Sequence, residues 1–573
     1  MPTTVKLNTD IEYNNLAHEI IAQSTTSYFI TGAAGTGKSF FLKQKLIPQL
    51  NAADKKYVVL APTGVAAQNV EGQTIHKFFG FHAGQITDES ERNNYLISEK
   101  LKKLLNYKLI QELDIIIIDE ISMVRVDIFD TIDKYLKVVK NNEDNFGGVQ
   151  LIIIGDIFQL PPVVKEDVQT KDEDEEGIKI GDLFKLIYNR ELNTYFSIES
   201  KVYQNLNLKI ALLCINYRQN QDTIFLEDLN KIRLDKMDIN ELNSKKNNLT
   251  TKKYDIVLTA TKNAAILYNQ KHLNELNVTE VVYIAKKNNK DVQLDFKHDF
   301  PFENYLKLKI GAEVMMLKND QGENPTYFNG TKAKITKLDL DSVEVQIKDK
   351  LYTIKIANWQ QFNYKLNNQG KIEKYIELEM EQFPVKLAKA ITIHKSQGLT
   401  FDNIGIDFDN KSAFAHGQLY VAFSRCKTFA GITVLNEIKN NIVNIHIKNY
   451  FYNYIDPEQK PSDWDTIYNK ELVLKEVVVE YFKMMVKKNI PNSEWRYKNL
   501  IDKGAVGFLK YIVSLDGYGF LDKLHAAGII EYGMENLVND PRFSILFSDE
   551  EKKIASEKLK RYPKNTTQFE IDE

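Results

Sequence analysis

Eight consecutive residues, Gly32-Ala33-Ala34-Gly35-Thr36-Gly37-Lys38-Ser39, have the types and spacing of a loop that holds the phosphates of a nucleoside triphosphate. Glycines let successive backbone N–H groups converge on phosphate oxygens, and a following helix adds its positive N-terminal end. Lys38 would neutralise the β- and γ-phosphates, and the Ser39 hydroxyl would ligate Mg²⁺. Further on, Asp119 and Glu120 close an apolar run of four isoleucines. A carboxylate such as Asp119 suits a hard cation, usually through water, while Glu120 is placed to orient and deprotonate an attacking water. The third cluster is Gly155-Asp156-Ile157-Phe158-Gln159-Leu160-Pro161-Pro162. Its position after another apolar run brings the Gln159 amide to the γ-phosphate, where it can sense hydrolysis, and the prolines stiffen the exit.

These loops need strands to hold them. Residues 28–31, 57–61, 114–118 and 150–154 are short, apolar and rich in branched side chains, separated by stretches long enough for helices. That is the pattern of a parallel sheet covered on both faces. A second such set resumes with a strand at 256–261 and a helix at 263–276. Between about 312 and 384 the period shortens to two: Val343, Val345 and Ile347 alternate with Glu344, Gln346 and Lys348, and Ile376, Leu378 and Met380 alternate with glutamates. Alternation of this kind predicts antiparallel strands, here as a small barrel inserted in the second α/β domain. From about 456 onward the sequence reads as mostly helical and offers no recognisable chemistry.

The 573 residues contain 43 % hydrophobic and 27 % charged side chains, the balance of a chain with several buried cores rather than a disordered one. Two cysteines, Cys214 and Cys426, exclude a disulfide framework and a zinc finger. No run is long enough for a membrane span, and the first ten residues do not form a signal peptide, so an intracellular, soluble protein is expected, cytoplasmic in a prokaryote. The net charge of −3 does not decide for or against a nucleic-acid partner, because binding needs a basic groove rather than a basic chain. The acidic run at 172–176 reads as a solvated loop.

Several further segments carry a family resemblance. They are Ala61-Pro62-Thr63-Gly64-Val65-Ala66-Ala67, Gly72-Gln73-Thr74-Ile75-His76-Lys77-Phe78-Phe79-Gly80 and Asn145-Phe146-Gly147-Gly148-Val149-Gln150. To these add Asn216-Tyr217-Arg218-Gln219, the stretch from Ala390 to Asp402 with His394-Lys395-Ser396-Gln397-Gly398 at its centre, and Tyr420-Val421-Ala422-Phe423-Ser424-Arg425. With the three clusters above, this ordered set resembles the Pif-type 5′-to-3′ DNA helicases of superfamily one from about residue 31 to 433. The resemblance implies two RecA-like parallel-sheet domains, the first at 1–195 with a small wedge insertion at about 82–100, the second at 196–311 and 385–455. It also implies an SH3-like β-barrel inserted at 312–384, with a helical accessory region left over at 456–573.

In such helicases Arg218 and Arg425 would serve as fingers, reaching the nucleotide from the second domain as the lobes close. Thr63, His76, His394 and Ser396 would grip the backbone of a single strand, and Phe78, Phe79 and Phe81 are aromatic faces for stacking bases or equally core residues, with Phe79 taken as the stacking one. The implied activity is ATP- and Mg²⁺-dependent unwinding of duplex or folded DNA, G-quadruplexes included, by a monomer at single/double-strand junctions, in replication, repair or telomere maintenance. One departure concerns the base: residues 7–15 hold no glutamine where these helicases read adenine, which leaves the base preference open. Backbone-gripping motifs alone also admit an RNA translocase, or a nucleotide-gated scaffold that unwinds nothing. Stimulation of hydrolysis by single-stranded DNA, by RNA or by neither separates the three.

Overall fold

A computed structural model of the chain describes residues 3–81, 106–164, 192–246, 254–287, 290–291, 300–320, 326–367, 369–408, 413–490, 493–515 and 517–562. The wedge insertion expected at 82–100 and the acidic run at 172–176 lie outside the described residues. Contacts divide the chain into two units, one of Met1–Val163, Phe196–Asn410 and Gln418–Glu437, the other of Val164–Tyr195, Lys411–Gly417 and Ile438–Glu573.

The first unit is built on a seven-stranded sheet. Its strands are β1 (Thr3–Leu7), β2 (Ser27–Thr31), β3 (Tyr57–Ala61), β4 (Gln73–Thr74), β5 (Ile115–Ile118), β6 (Gln150–Gly155) and β7 (Leu208–Leu213). They lie in the order β1-β7-β2-β6-β5-β3-β4, and every pair is parallel. The four isoleucines of β5 are all buried, as an inner strand covered on both faces requires. A core of Tyr28, Ile30, Phe41, Ile117 and Ile152 packs one face of this sheet. Helix α1 (Asp10–Ala22) starts at a reciprocal cap: Thr9 Oγ1 accepts from the Glu12 N–H, and Glu12 Oε2 accepts from the Thr9 N–H.

β7 is the seventh strand of this first sheet, inserted between β1 and β2, although it lies past residue 195 where the first domain was expected to end. Its run Leu208–Leu213 is nearly all buried, which only an inner strand satisfies. A second, four-stranded parallel sheet has the order Ala390–Thr392, Ile256–Thr259, Ile404–Asp407, Ile432–Val434.

Between the first two strands of that second sheet, the alternating segment forms two antiparallel assemblies. Five strands pair in the order Lys350–Lys355, Ser342–Ile347, Lys332–Leu338, Glu313–Met316, Val385–Leu387. Val343, Val345 and Ile347 face its core with Val314 and Phe383. The end strands of this sheet do not pair with one another among the described residues, so its hydrogen bonding is that of an open sheet, and closure into the expected barrel is absent from the observed pairings. The other is a long hairpin, Ala357–Leu366 with Ile372–Gln382, extended to four strands by Lys286–Lys287 and Lys290–Asp291, and separately Val281–Ile284 pairs with Tyr305–Leu308.

The second unit is helical, around Trp464–Lys487, Ser493–Ser514, Gly519–Ala526, Met534–Val538 and Asp549–Leu559. Leu474, Val478, Phe482, Leu500, Phe508 and Leu537 are among its buried core. The helix Ser493–Ser514 breaks at Gly504 (φ 73°, ψ 168°), a left-handed position that favours glycine. The fully buried Glu471 carboxylate accepts the N–H groups of Ala505 and Val506 and so caps the part that follows the break. No helix among the described residues is long and apolar enough to cross a membrane.

Candidate nucleotide and nucleic-acid sites

The phosphate loop leaves the end of β2 and leads into helical turns at Lys38–Phe40, Phe41–Leu46 and Ile47–Ala52. Gly35 (φ 87°) and Gly37 (φ 82°) are left-handed, and a Cβ on Gly35 would lie 2.8 Å from Arg218 Cβ. Only glycine satisfies both demands at that position. Lys38 Nζ folds back over the loop, donating to the carbonyls of Gly32 (2.8 Å) and Ala33 (2.9 Å). Burial lowers its pKa, opposed by the charges of Asp156 and Glu120. Ser39 is exposed at the loop's mouth.

Asp119 and Glu120 lie where β5 ends. Asp119 is 5 % exposed, accepts the Glu120 N–H (3.0 Å), and is pushed up to about 7 by burial and by its acidic neighbour. Glu120 is left-handed (φ 54°), a strained conformation for a side-chain-bearing residue, and its Oε2 is buried without a hydrogen-bond partner. Burial raises its pKa against the pull of Lys38 and Arg425. The exposed Ser39 hydroxyl and the Asp119 carboxylate just past β5 are oxygen donors of the kind a water-carrying hard cation prefers. Among the described residues no three His, Cys, Asp or Glu side chains gather to cage a metal, so an ion held by Ser39 and Asp119 would need phosphate oxygens to complete its shell.

A cavity of about 580 Å³ joins these groups. The loop contributes Gly35, Gly37, Lys38 and Ser39, the ends of β5 and β6 contribute Glu120 and Gln159, and Arg218 and Arg425 close it. Asp119, next to Glu120 in the chain, does not line it. Gln159 is 5 % exposed, and its Oε1 lies 3.5 Å from Gln397 Nε2 of the second lobe.

Arg218 does not come from the second lobe as expected. It follows β7 of the first sheet, in a segment bound to the phosphate loop: Tyr217 N–H donates to Gly35 O (2.9 Å) and Asn216 Nδ2 to Ala34 O (3.0 Å). Its Nη1 donates across the cleft to Ser424 O (3.0 Å), next to Arg425. Arg425 sits beyond the helix Gln418–Phe423 and is 2 % exposed, donating to Val421 O, Ser396 O and Ser424 Oγ.

Three side chains that the sequence reading assigned no role complete this centre. The Tyr420 hydroxyl accepts the Ala34 N–H (2.7 Å) and donates to Asp156 Oδ2 (3.1 Å), tying the second lobe to the phosphate loop. Asp156, fully buried, also meets Arg233 Nη2 at 3.0 Å. Burial would raise its pKa, but the charges of Arg233 and Lys38 hold it below the usual carboxylate range. Tyr420 and Asp156 belong to segments whose local spacing was legible, but contacts 264 and 77 residues long leave no local pattern to find.

The expected nucleic-acid contacts divide. Thr63 Oγ1 accepts the Ala66 N–H (3.2 Å) and caps the short helix Gly64–Asn69. His76, on Ile75–Phe79, and His394 are half-buried, and burial lowers the pKa of each. Phe79 is not a stacking face: it has no exposed surface, lies stacked on Phe81 at 5.3 Å and meets Phe78 and Tyr135 edge-on. Its place on the inward side of a five-residue helix makes it core. The Ser396 hydroxyl is likewise buried and donates to Ile393 O (2.7 Å), so it faces inward and not toward a strand. A cavity of about 850 Å³ is lined by Val65, Gln68 and Asn69 of the helix that Thr63 caps and by Lys386, Lys395 and Gln397, but by none of Thr63, His76, Phe79, His394 and Ser396.

Two parallel sheets that share one phosphate-loop cavity, with an arginine on each side of it, define a two-lobed P-loop nucleoside triphosphatase. A family model described as PIF1-like helicase matches residues 7–227. The chain is 31 % identical over 422 residues to the ATP-dependent DNA helicase Pif1 of Campylobacter jejuni, covering 69 % of this chain and 86 % of that protein. Among solved structures it is similar to Bacteroides sp Pif1 in complex with ADP-AlF4 (32 % identity, TM-score 0.61, 74 % of this chain and 92 % of that one). It is also similar to the Bacteroides Pif1 helicase in complex with ADP-AlF3 and ssDNA (32 % identity, TM-score 0.51, 78 % and 97 %). The chain belongs to the PIF1-like helicase family.

Proposed function

We propose that this chain is an ATP-dependent DNA helicase that moves 5′ to 3′ along single-stranded DNA and separates the duplex ahead of it. The observation that carries this reading is the cavity of about 580 Å³ in which Lys38, Glu120 and Gln159 of the first lobe meet Arg425 of the second, with Arg218 bonded across to Ser424. A site assembled from two lobes ties hydrolysis to their relative motion.

In this reading Lys38 leaves the carbonyls of Gly32 and Ala33 for the triphosphate, and the N–H groups of the glycine loop take its oxygens. Ser39, and Asp119 through water, would hold Mg²⁺, which when bound would screen phosphate charge. Glu120, its Oε2 otherwise unpaired, takes the proton of the attacking water, and Gln159 orients that water. Arg218 and Arg425 meet the negative charge that develops on the phosphoryl oxygens. Nucleotide binding and product release thus tighten and loosen the second lobe through Tyr420 and Arg425.

The track is the cavity of about 850 Å³ between Thr63's helix and the His394–Ser396 turn, where Lys43, Lys386 and Lys395 present cations to a phosphodiester backbone. Backbone contacts make the grip sequence-tolerant and salt-sensitive. G-rich folded DNA and single/double-strand junctions are substrates on this account, and the motor works as a monomer. Matched duplexes with a 5′ or a 3′ single-stranded tail test it: unwinding from the 5′ tail is expected, and unwinding from the 3′ tail alone would overturn the direction.

A further inference from the structure

The hairpin Ala357–Leu366/Ile372–Gln382 is inserted in the second lobe by chain order, yet Tyr364, Lys371, Lys374 and Glu377 around its turn contact the first lobe. β4 is only two residues long and pairs β3 opposite Leu60 and Ala61, so it stops short of Val59. The Tyr364 hydroxyl takes up both polar groups of that residue, accepting the Val59 N–H (3.1 Å) and donating to its carbonyl (3.4 Å). Its ring meets Phe78 edge-on at 6.2 Å, and only 6 % of the side chain is exposed.

Three ion pairs follow the same seam: Lys371 with Asp54 (2.7 Å), Lys374 with Glu71 (2.9 Å) and Glu377 with Lys77 (2.5 Å). Glu377 is a bulged residue, since Gln361 pairs with Leu378 and Phe362 with Ile376. A bulge re-aims a side chain, and here it turns the carboxylate onto the helix that carries His76. The seam also runs between two voids. Asn358, Trp359 and Phe362 at the hairpin's base line the cavity of about 850 Å³, while Tyr364, Lys371 and Lys374 line another of about 590 Å³. A few directed polar contacts between cavities, in place of continuous apolar packing, make a joint that is specific and separable.

We propose that Tyr364 is a positioning residue for the DNA grip: it fastens the hairpin to the middle of β3 as a strap across the path of the strand and steadies the strand that leads to Thr63. This inference rests on the helicase reading, with the phosphodiester backbone of single-stranded DNA as the occupant of the strapped cavity. None of the seam residues lines the nucleotide cavity, so the strap acts on DNA retention rather than on phosphate chemistry.

Tyr364→Phe in the full chain removes the hydroxyl and keeps the ring. Release of a fluorescein-labelled oligo-dT should become about five- to tenfold faster, the consequence of losing one or two modest hydrogen bonds. The DNA concentration for half-maximal stimulation of hydrolysis should rise by the same factor, with the maximal stimulated rate retained. Lys374→Glu should speed release by up to about threefold at low salt, and combining it with Glu71→Lys should restore the slower release. Wild-type release rates in both single variants would overturn the strap, as would a double variant no better than Lys374→Glu alone. Should Tyr364→Phe melt below the assay temperature, the charge pair decides by the same criterion. A wild-type chain that binds no single-stranded DNA would instead overturn the helicase reading, and the strap with it.

Discussion

Lys38 and Arg425 are both bonded to protein oxygens, whereas the proposed reaction has them meet phosphate: Lys38 to Gly32 and Ala33, Arg425 to Val421, Ser396 and Ser424. Each cation is therefore kept solvated by carbonyls until a stronger acceptor arrives. Lys386 is different, because among the described residues its ammonium has no hydrogen bond or ion pair, and it lies in the wall of the proposed track. Burial pushes it down to about 8, the charge of Lys395 adds to that, and Glu303 opposes it. The charged form persists below about 8 and is lost above, so single-stranded DNA should bind up to about tenfold more weakly at pH 9 than at pH 7 on this account. Lys386→Arg, which stays charged, should flatten that profile, as binding titrations across the range would read; an unchanged slope would remove Lys386 from the track. At this scale the sequence discloses what local spacing encodes. Gly32 to Ser39 and Asp119-Glu120 are contiguous and legible, whereas Arg233 and Tyr420 join the site only through the fold. Phe79 shows the converse, an aromatic in a telling motif that the fold spends on its core.

Among the elements, strands that are apolar throughout were readable as inner parallel strands, and β2, β3, β5 and β6 fall within a residue or so of their expected bounds. β7 has the same composition, but nothing local says which of two sheets takes it, and it joins the first. That choice moves Arg218 to the phosphate-loop side of the cleft. Alternation succeeded for Val343, Val345 and Ile347 and failed at Ile376, which is 46 % exposed because the bulge at Glu377 shifts the register there. In the helical unit, Glu471 is the acceptor for two N–H groups at a helix break that would otherwise be buried and unpaired. Burial raises its carboxyl to about 7. Glu471→Ala should cost about 2–4 kcal/mol, seen as an earlier loss of helical signal in chemical denaturation of the full chain. No change in that transition would show the break to be capped by other means.

For the molecule as a whole, the functional consequence lies in the division of one site between two sheets. Lys38, Glu120 and Gln159 are fixed on the first, Arg425 on the second, and Arg218 spans from the first to Ser424 of the second. Tyr420 adds a hydrogen-bonded link from the second lobe to the phosphate loop and to Asp156. The antiparallel hairpin makes a separate link between the lobes at Tyr364. On the proposed reading, fuel and track are thus joined by two different contacts, one at the phosphates and one at the strand. The most direct test of this division is DNA-stimulated ATP turnover of Arg425→Lys, measured beside its affinity for a fluorescent ATP analogue. Turnover is expected to fall about 10²- to 10³-fold while nucleotide affinity changes less than about threefold, since a lysine keeps the charge but loses the fork. Turnover within about twofold of the unsubstituted protein would contradict a site completed by the second lobe.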